Sequence, residues 1–310
     1  MSVVVIGDAN VDLEIRLPPE HHPTHANPDP VMSGGGSAAN TAAALARLGV
    51  PVRFVGTVGD DASGRFAVTS LAEAGVDVAG VRTIERDLTV TVIVVIRPDG
   101  ERLIYVWPPR GGAHSALDTT IATQAVEGAS WLHVSGICLR VSPAREALLA
   151  AMDLARSNRI PVSLDLNLRL ENWGWENGFR AVIDDAIQRA DVVFGGASDE
   201  IGAITETDDP SRAAQALAGD DRLVVARLAE RGALAHHRGE SIESPGFEVE
   251  VTDTVGAGDA FNAGFIAARL AGASLEEALR QGNAVAALTI SRPGARSSPT
   301  MTELNRLLDS

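Results

Sequence analysis

Six short apolar runs recur along the chain: VVVIG at 3–7, VRFVG at 52–56, WLHVS at 131–135, PVSLDL at 161–166, DVVFG at 191–195 and RLVVAR at 222–227. Valine-rich runs of this length, without an alternating polar face, predict strands buried on both sides. Helix-period segments lie near 38–48, 64–74, 143–157, 179–189 and 210–218, and Gly49 and Gly75 stand where helices end on a left-handed residue. This alternation predicts a Rossmann-like three-layer α/β domain, because parallel strands need crossovers and helices cover both faces of the sheet. We expect 1–310 to form one such domain.

Residues 85–107 depart from the pattern. LTVTVIVVI, then RPDG, then ERLIYVW reads as two strands joined by a turn at Asp99-Gly100, with no helix between them. They are expected to form a small antiparallel β lid with 11–17 and residues near 30–32, so that about 11–32 and 85–110 close over a ligand at the edge of the domain. The irregular segment 18–30 carries His21, His22 and His25. Flanking prolines deny these histidines a helical face, so they are read as a solvated loop rather than a metal cluster.

Charge and composition exclude several functions. The 41 acidic and 26 basic residues give a net charge of −15, which offers nucleic acid or an anionic membrane no attraction. Every basic residue among the 26 is arginine. A Walker-type phosphate loop and a Schiff-base enzyme both need a lysine and are excluded. Cys138 is the only cysteine, so no intrachain disulfide or cysteine-based zinc site is expected. No apolar run approaches the roughly 20 residues of a membrane span, and the N-terminus lacks the pattern of a signal peptide. A cytoplasmic protein is the expectation.

Two glycine-rich stretches carry the chemistry. In DTVGAGDAFNAGF (253–265), the spacing of Phe261, Phe265, Ile266 and Leu270 predicts a helix over about 257–271. Its first turn, Gly256-Ala257-Gly258, would present free N–H groups and the positive end of the helix dipole to an anion. Asp259 beside that cup could accept a hydroxyl proton while the N–H groups hold phosphoryl charge. A glycine-rich helix start packed on a strand, with Asp259 simply a first-turn acid, fits the same spacing. In SGGGSAANTAAALARLG (33–49), Gly35 and Gly36 would let a ligand approach the backbone, Asn40 offers an amide, and Asp12 could bind vicinal hydroxyls. Tight packing of a small-residue helix suits that stretch as well.

Together GGSAANTAAALARLG and DTVGAGDAFNAGF, with VGTVGDDASGRF, DLNLR and NAVAALTISRPGA in order, resemble the PfkB/ribokinase family of carbohydrate kinases over nearly the whole chain. The resemblance implies a Rossmann-like domain with a β lid. It makes Asp259 the catalytic base and Gly256, Ala257 and Gly258 the anion hole. Asp12, Gly35, Gly36 and Asn40 would hold the sugar, while Arg227, Gly232 and Asn283 would flank the nucleotide. ATP is the implied donor, with Mg²⁺ held mainly through phosphates and water. A monovalent cation such as K⁺ is implied at Asp253, Val255, Thr289, Arg292, Gly294 and Ser298. A homodimer formed through the lid is common among such kinases.

Departures from the family pattern narrow the reading. Many relatives carry Asn-x-x-Glu after the strand that precedes the nucleotide site; here Gly196 or Ala197 takes the asparagine's place and Asp199 or Glu200 that of the acid. Ala229 stands where a glycine is common. Ile137 replaces the acidic residue with which ribokinase-like members bind the sugar. HVSGI and DLNLRLENW look more like the 2-keto-3-deoxygluconate kinase branch, in which two arginines help bind an acid sugar, and Arg110 and Arg169 match them. That branch tends to show paired tyrosines in the lid, whereas Tyr105 is the only tyrosine here. An acid sugar is the expected acceptor, ahead of a fructokinase, ribokinase or nucleoside kinase activity. A catalytically inactive sugar-binding regulator is the rival of another class. A nicotinamide oxidoreductase is set aside because no G-x-G-x-x-G follows the first strand.

Overall fold

The computed structural model describes residues 2–19, 29–99, 101–109, 111–175 and 178–309. Of the sequence expectations, those on His21, His22, His25, Gly100 and Arg110 lie outside the described residues.

All six predicted runs form strands of one nine-stranded sheet. In chain order they are β1 (Ser2–Ile6), β4 (Val52–Gly59), β8 (Ala129–Ser135), β9 (Val162–Asp165), β10 (Val192–Gly196) and β11 (Leu223–Arg227), joined by β5 (Asp77–Ile84), β12 (Ala233–His237) and β13 (Glu240–Ser244). The order is β13-β12-β11-β10-β9-β8-β1-β4-β5. Pairing is parallel from β5 through β11, and the β12–β13 hairpin adds antiparallel at the far edge. Apolar clusters fill both faces. Leu132, Leu148, Met152 and Leu164 belong to one, and Phe54, Phe194, Phe265 and Leu279 to the other.

The predicted helices are present as Ser37–Arg47, Ala62–Glu73, Ala144–Ser157, Phe179–Arg189, Pro210–Ala218 and Ala257–Leu270. Phe265 meets Phe194 of β10 edge-on at 5.3 Å between ring centroids, which seats helix 257–270 on the sheet. Gly264 and Gly282 let that helix approach helix Leu275–Ile290 closely: a Cβ at Gly282 would lie 2.8 Å from the Phe261 ring.

The lid is a four-stranded sheet of β2 (Asn10–Arg16), β3 (Val31–Gly35), β6 (Thr91–Ile96) and β7 (Arg102–Trp107), in the order β3-β2-β6-β7. Its two outer pairings are antiparallel, and for β6 with β7 the missing crossover requires it. The central pair, β2 with β6, is parallel. The long connection through β4 and β5 allows that pairing, and no local signal in the sequence announces it. β3 extends to Gly35, so the glycine stretch begins inside the lid.

The chain visits β1, β4 and β5 and then crosses back to β8 on the other side of β1. Ligand crevices of open parallel sheets form at such a reversal, beyond the carboxyl ends of the strands. Here those ends carry Asp8, Ser135, Asp165 and Arg227, and the lid strands leave the sheet from the same side.

Candidate active site

A polar cleft of about 390 Å³ opens at the carboxyl ends of β9, β10 and β11, lined among others by Asp165, Asn167, Arg169, Asp199, Arg227 and the run Thr254–Asp259. Helix 257–270 points its N-terminus into it. Gly256 precedes the helix with φ +81°, and no side chain caps it. Ala257 N–H reaches only Thr254 O, at 3.4 Å. The N–H groups of Gly258 and Asp259 have no hydrogen-bond partner among the described residues, so they remain available to an anion.

Asp259 stands in the first turn of this helix and is held from across the site by helix 37–47. Ser37 Oγ donates to Oδ1 at 2.7 Å, and Asn40 Nδ2 donates to Oδ2 at 2.9 Å. Ser37 and Asn40 share a helix face by their three-residue spacing. Desolvation, then the charge of Asp165, pushes Asp259 up to about 7, against the lowering pull of the two hydrogen bonds. A carboxylate poised near neutrality suits general base catalysis. Each of its oxygens keeps a lone pair for a substrate hydroxyl.

Helix 37–47 begins very differently. Gly36 has φ +95°, and its own residues supply no cap, but Asp8 at the end of β1 accepts from Ser37 N–H at 3.0 Å and Ala38 N–H at 3.2 Å. That helix start is closed by protein. The glycines before it are likewise required by protein neighbours. A Cβ at Gly34 would collide with the Arg296 guanidinium at 2.1 Å, at Gly35 with the Asp12 carboxylate at 2.6 Å, and at Gly36 with Asp8 O at 2.6 Å.

Asp12 hangs from lid strand β2 over Gly35. Its carboxyl is raised to about 6 by desolvation, with Arg296 and then Arg169 among the nearby charges that oppose the shift. Arg296, absent from the sequence expectations, donates Nε to Asn40 Oδ1 at 3.2 Å, Nη1 to Ser70 Oγ at 2.9 Å and Nη2 to Gly35 O at 2.8 Å. Burial lowers it to about 10, which leaves it charged at neutral pH.

Arg169 lies at the mouth of the cleft. Asn167 and Arg169 both adopt left-handed backbone, with φ +40° and +50°. Non-glycine residues seldom accept this, and the surroundings enforce it. Leu168 N–H is taken by Glu200 Oε1 at 2.7 Å, Arg140 Nη2 donates to Leu168 O at 2.5 Å, and Asn167 Nδ2 donates to Ser135 Oγ at 3.3 Å. The exposed Arg169 guanidinium makes no hydrogen bond or ion pair with a described residue.

Arg227, expected at the nucleotide, lines the cleft beside Gly258 and is held by three partners. It donates to Asp165 at 2.9 Å, Glu200 at 3.2 Å and Asn262 at 3.0 Å. Glu200 is buried and also accepts from Gly196 N–H at 2.7 Å. Both acids line the cleft, but Asp199 has no hydrogen-bond or ion-pair partner among the described residues, so of the two it is the one left for a ligand. Gly232 and Asn283 converge on residues 244–246: Asn283 Nδ2 donates to Ser244 O at 3.0 Å and Pro245 O at 3.1 Å, and a Cβ at Gly232 would meet Ser244 O at 2.2 Å. Ile137 packs against the core cluster.

Behind the anion cup, Asp253 accepts from Val255 N–H and Gly294 N–H, each at 3.1 Å. Ser297 Oγ donates to Gly294 O at 2.7 Å and Thr289 O at 3.1 Å, and Thr289 Oγ1 meets Ser298 Oγ at 3.3 Å. The Arg292 side chain turns away to Glu303 at 2.6 Å. Among the described residues no group of three or more His, Cys, Asp or Glu side chains could hold a metal ion, and no helix is long and apolar enough to cross a membrane.

Comparison with known proteins bears on this geometry. The family model described as pfkB family carbohydrate kinase matches residues 1–302. The chain is 35% identical over 303 residues to an ATP-dependent ribose-1-phosphate kinase of Halopiger xanaduensis, covering 97% of this chain and 95% of the relative. It is 30% identical over 308 residues to a 5-dehydro-2-deoxygluconokinase of Photobacterium profundum, covering 94% and 89%. The crystal structure of aminoimidazole riboside kinase from Salmonella enterica, complexed with aminoimidazole riboside and an ATP analog, superposes with a TM-score of 0.81 at 28% identity, over 100% of both chains.

Proposed function

This chain belongs to the pfkB family of carbohydrate kinases and is a sugar kinase, and on that premise we propose that it transfers the γ-phosphoryl of ATP to a hydroxyl of an anionic sugar. The observation that carries the choice of acceptor is Arg169: an unpartnered guanidinium, fixed on strained backbone at the cleft and close enough to Asp12 to affect its charge. A forked donor in that position suits a carboxylate or phosphate. The names of two relatives support an anionic acceptor, since one acts on ribose-1-phosphate and the other on 5-dehydro-2-deoxygluconate. The carboxylate form is the acid sugar expected from the sequence.

In this reading Asp259 takes the proton of the attacking hydroxyl as its oxygen bonds to the γ-phosphorus, and the bond to the β-phosphate oxygen breaks to release ADP. Ser37 and Asn40 aim the carboxylate, and the N–H groups of Gly258 and Asp259 receive charge on the equatorial oxygens. Asp12 binds sugar hydroxyls under the lid. Mg²⁺ would reside on the nucleotide phosphates and water, with Asp199 orienting the water, which fits a cleft whose unpaired carboxylates, Asp199 and Glu171, form no cage among the described residues. It would neutralise charge on the phosphates. K⁺ would be held by the carbonyls of Val255, Thr289, Arg292 and Gly294 with Asp253 and Ser298, bracing the loop beneath the cup.

A lid-mediated homodimer belongs to the same proposal. Ile104 is 64% exposed, Tyr105 55%, Trp107 56% and Val31 62%, all on the outer strands of the lid sheet. An apolar sheet edge of this kind calls for a cover. Ile104→Glu should shift the protein to monomer in sedimentation, and a wild-type protein that is monomeric at micromolar concentration would remove the idea.

The function is tested by ADP release across ribose-1-phosphate, 2-keto-3-deoxygluconate, 5-dehydro-2-deoxygluconate, fructose, ribose and adenosine. Turnover confined to one or more anionic sugars is expected, with KM for that acceptor raised about tenfold or more in Arg169→Ala and little change in KM for ATP. Turnover confined to a neutral sugar or nucleoside would overturn the anionic acceptor.

A further inference from the structure

We infer that Arg296 is a positioning residue for the base, acting by fixing the orientation of the Asn40 side-chain amide. An asparagine amide can present either its acceptor or its donor end, and the two ends have nearly the same shape. Asn40 lies between Arg296, whose guanidinium only donates, and the Asp259 carboxylate, which only accepts when ionised. One orientation satisfies both neighbours: Oδ1 toward Arg296 Nε at 3.2 Å and Nδ2 toward Asp259 Oδ2 at 2.9 Å. The reverse orientation would set two donors against each other on one side and an oxygen against a carboxylate on the other.

Arg296 is itself fixed. Ser70 Oγ and Gly35 O hold its two terminal nitrogens, and Gly34 leaves room for the guanidinium by lacking a side chain. The relay therefore joins the C-terminal loop, the lid strand β3, helix 37–47 and the first turn of helix 257–270. Without Arg296 the amide is free to turn its oxygen toward Asp259, which removes a hydrogen bond from the ionised base and places a partial negative charge beside it. Both changes disfavour the carboxylate form.

The inference rests on Asp259 acting as the base, and a double-mutant cycle separates the two. The variants are Arg296→Met, Asn40→Ala and their combination, each followed as kcat, KM for ATP and the pH dependence of kcat/KM. Arg296→Met is expected to lower kcat roughly ten- to hundredfold and move the acidic limb of the profile up by about one pH unit, with KM for ATP nearly unchanged. In the Asn40→Ala background the same substitution should lower kcat and move the limb much less, leaving only the direct effect of the Arg296 charge on Asp259. Ser70→Ala, which loosens one anchor of Arg296, should act in the same direction but less, and serves if Arg296→Met does not fold. Additive losses in the combined variant, or an unmoved limb, would overturn the relay. A limb that persists unchanged in Asp259→Asn would instead refute the base assignment.

Discussion

Two helices of this fold begin the same way and end up in opposite roles. Helices 37–47 and 257–270 each follow a glycine of positive φ, Gly36 and Gly256, and neither has a capping side chain of its own. The Asp8 carboxylate closes the first; nothing among the described residues closes the second, whose N-terminus faces the cleft. A glycine-rich helix start is therefore not a ligand site by virtue of its glycines. What distinguishes the two is whether another strand has already supplied the anion. The closed helix then becomes the rigid support from which Ser37 and Asn40 hold the carboxylate at the mouth of the open one.

The largest effect expected from breaking this asymmetry is on chemistry. Asp259→Asn keeps the shape of the open helix start and removes the base, so kcat should fall by about 10²- to 10⁴-fold while ATP binding, followed by titration calorimetry, survives. Next comes the closed start. Asp8→Ala exposes two N–H groups of helix 37–47 and removes a buried acceptor, which should cost about 2 kcal/mol in urea unfolding.

Asp259→Asn should also stabilise the protein in a pH-dependent way. The native Asp259 is raised from 3.8 to about 7, so between these values the folded state binds more protons than the unfolded state. Wild-type stability should therefore decline as pH rises through that window. The neutral variant escapes this loss. Its advantage should be nearly absent at pH 4 and on the order of a few kcal/mol at pH 8, measured as the difference in urea unfolding. An advantage independent of pH would contradict the raised carboxyl.

The smallest effect belongs to a helix start remote from the cleft. Helix Met301–Leu308 is closed by a complete capping box of Thr300 and Glu303. Thr300→Ala should cost about 1 kcal/mol or less and leave kcat untouched.

The parts legible in the sequence were those with local signals. Valine-rich runs announced the parallel strands, apolar spacing announced helix 257–270, and the two glycine stretches drew attention to Asp259 and Asn40. β5 was missed because this edge strand, Asp77–Ile84, is only partly covered and has no continuous apolar run. The β12–β13 hairpin was passed over because its strands are short and interrupted by histidines and glutamates. The partners of Arg227, namely Asp165, Glu200 and Asn262, come from three other segments, and spacing along the chain cannot show that convergence. Arg296 escaped for the same reason. It sits in a loop read for its main-chain carbonyls, and its partners Gly35, Asn40 and Ser70 lie more than 200 residues away.

The most direct test of the open helix start as the site of phosphoryl transfer is the pH dependence of kcat/KM for wild type and Asp259→Asn, measured side by side with the preferred acceptor. Wild-type activity should fall on the acid side of an inflection near pH 7, and the residual activity of the variant should lack that inflection. Near-wild-type turnover in Asp259→Asn with the same inflection would contradict the account.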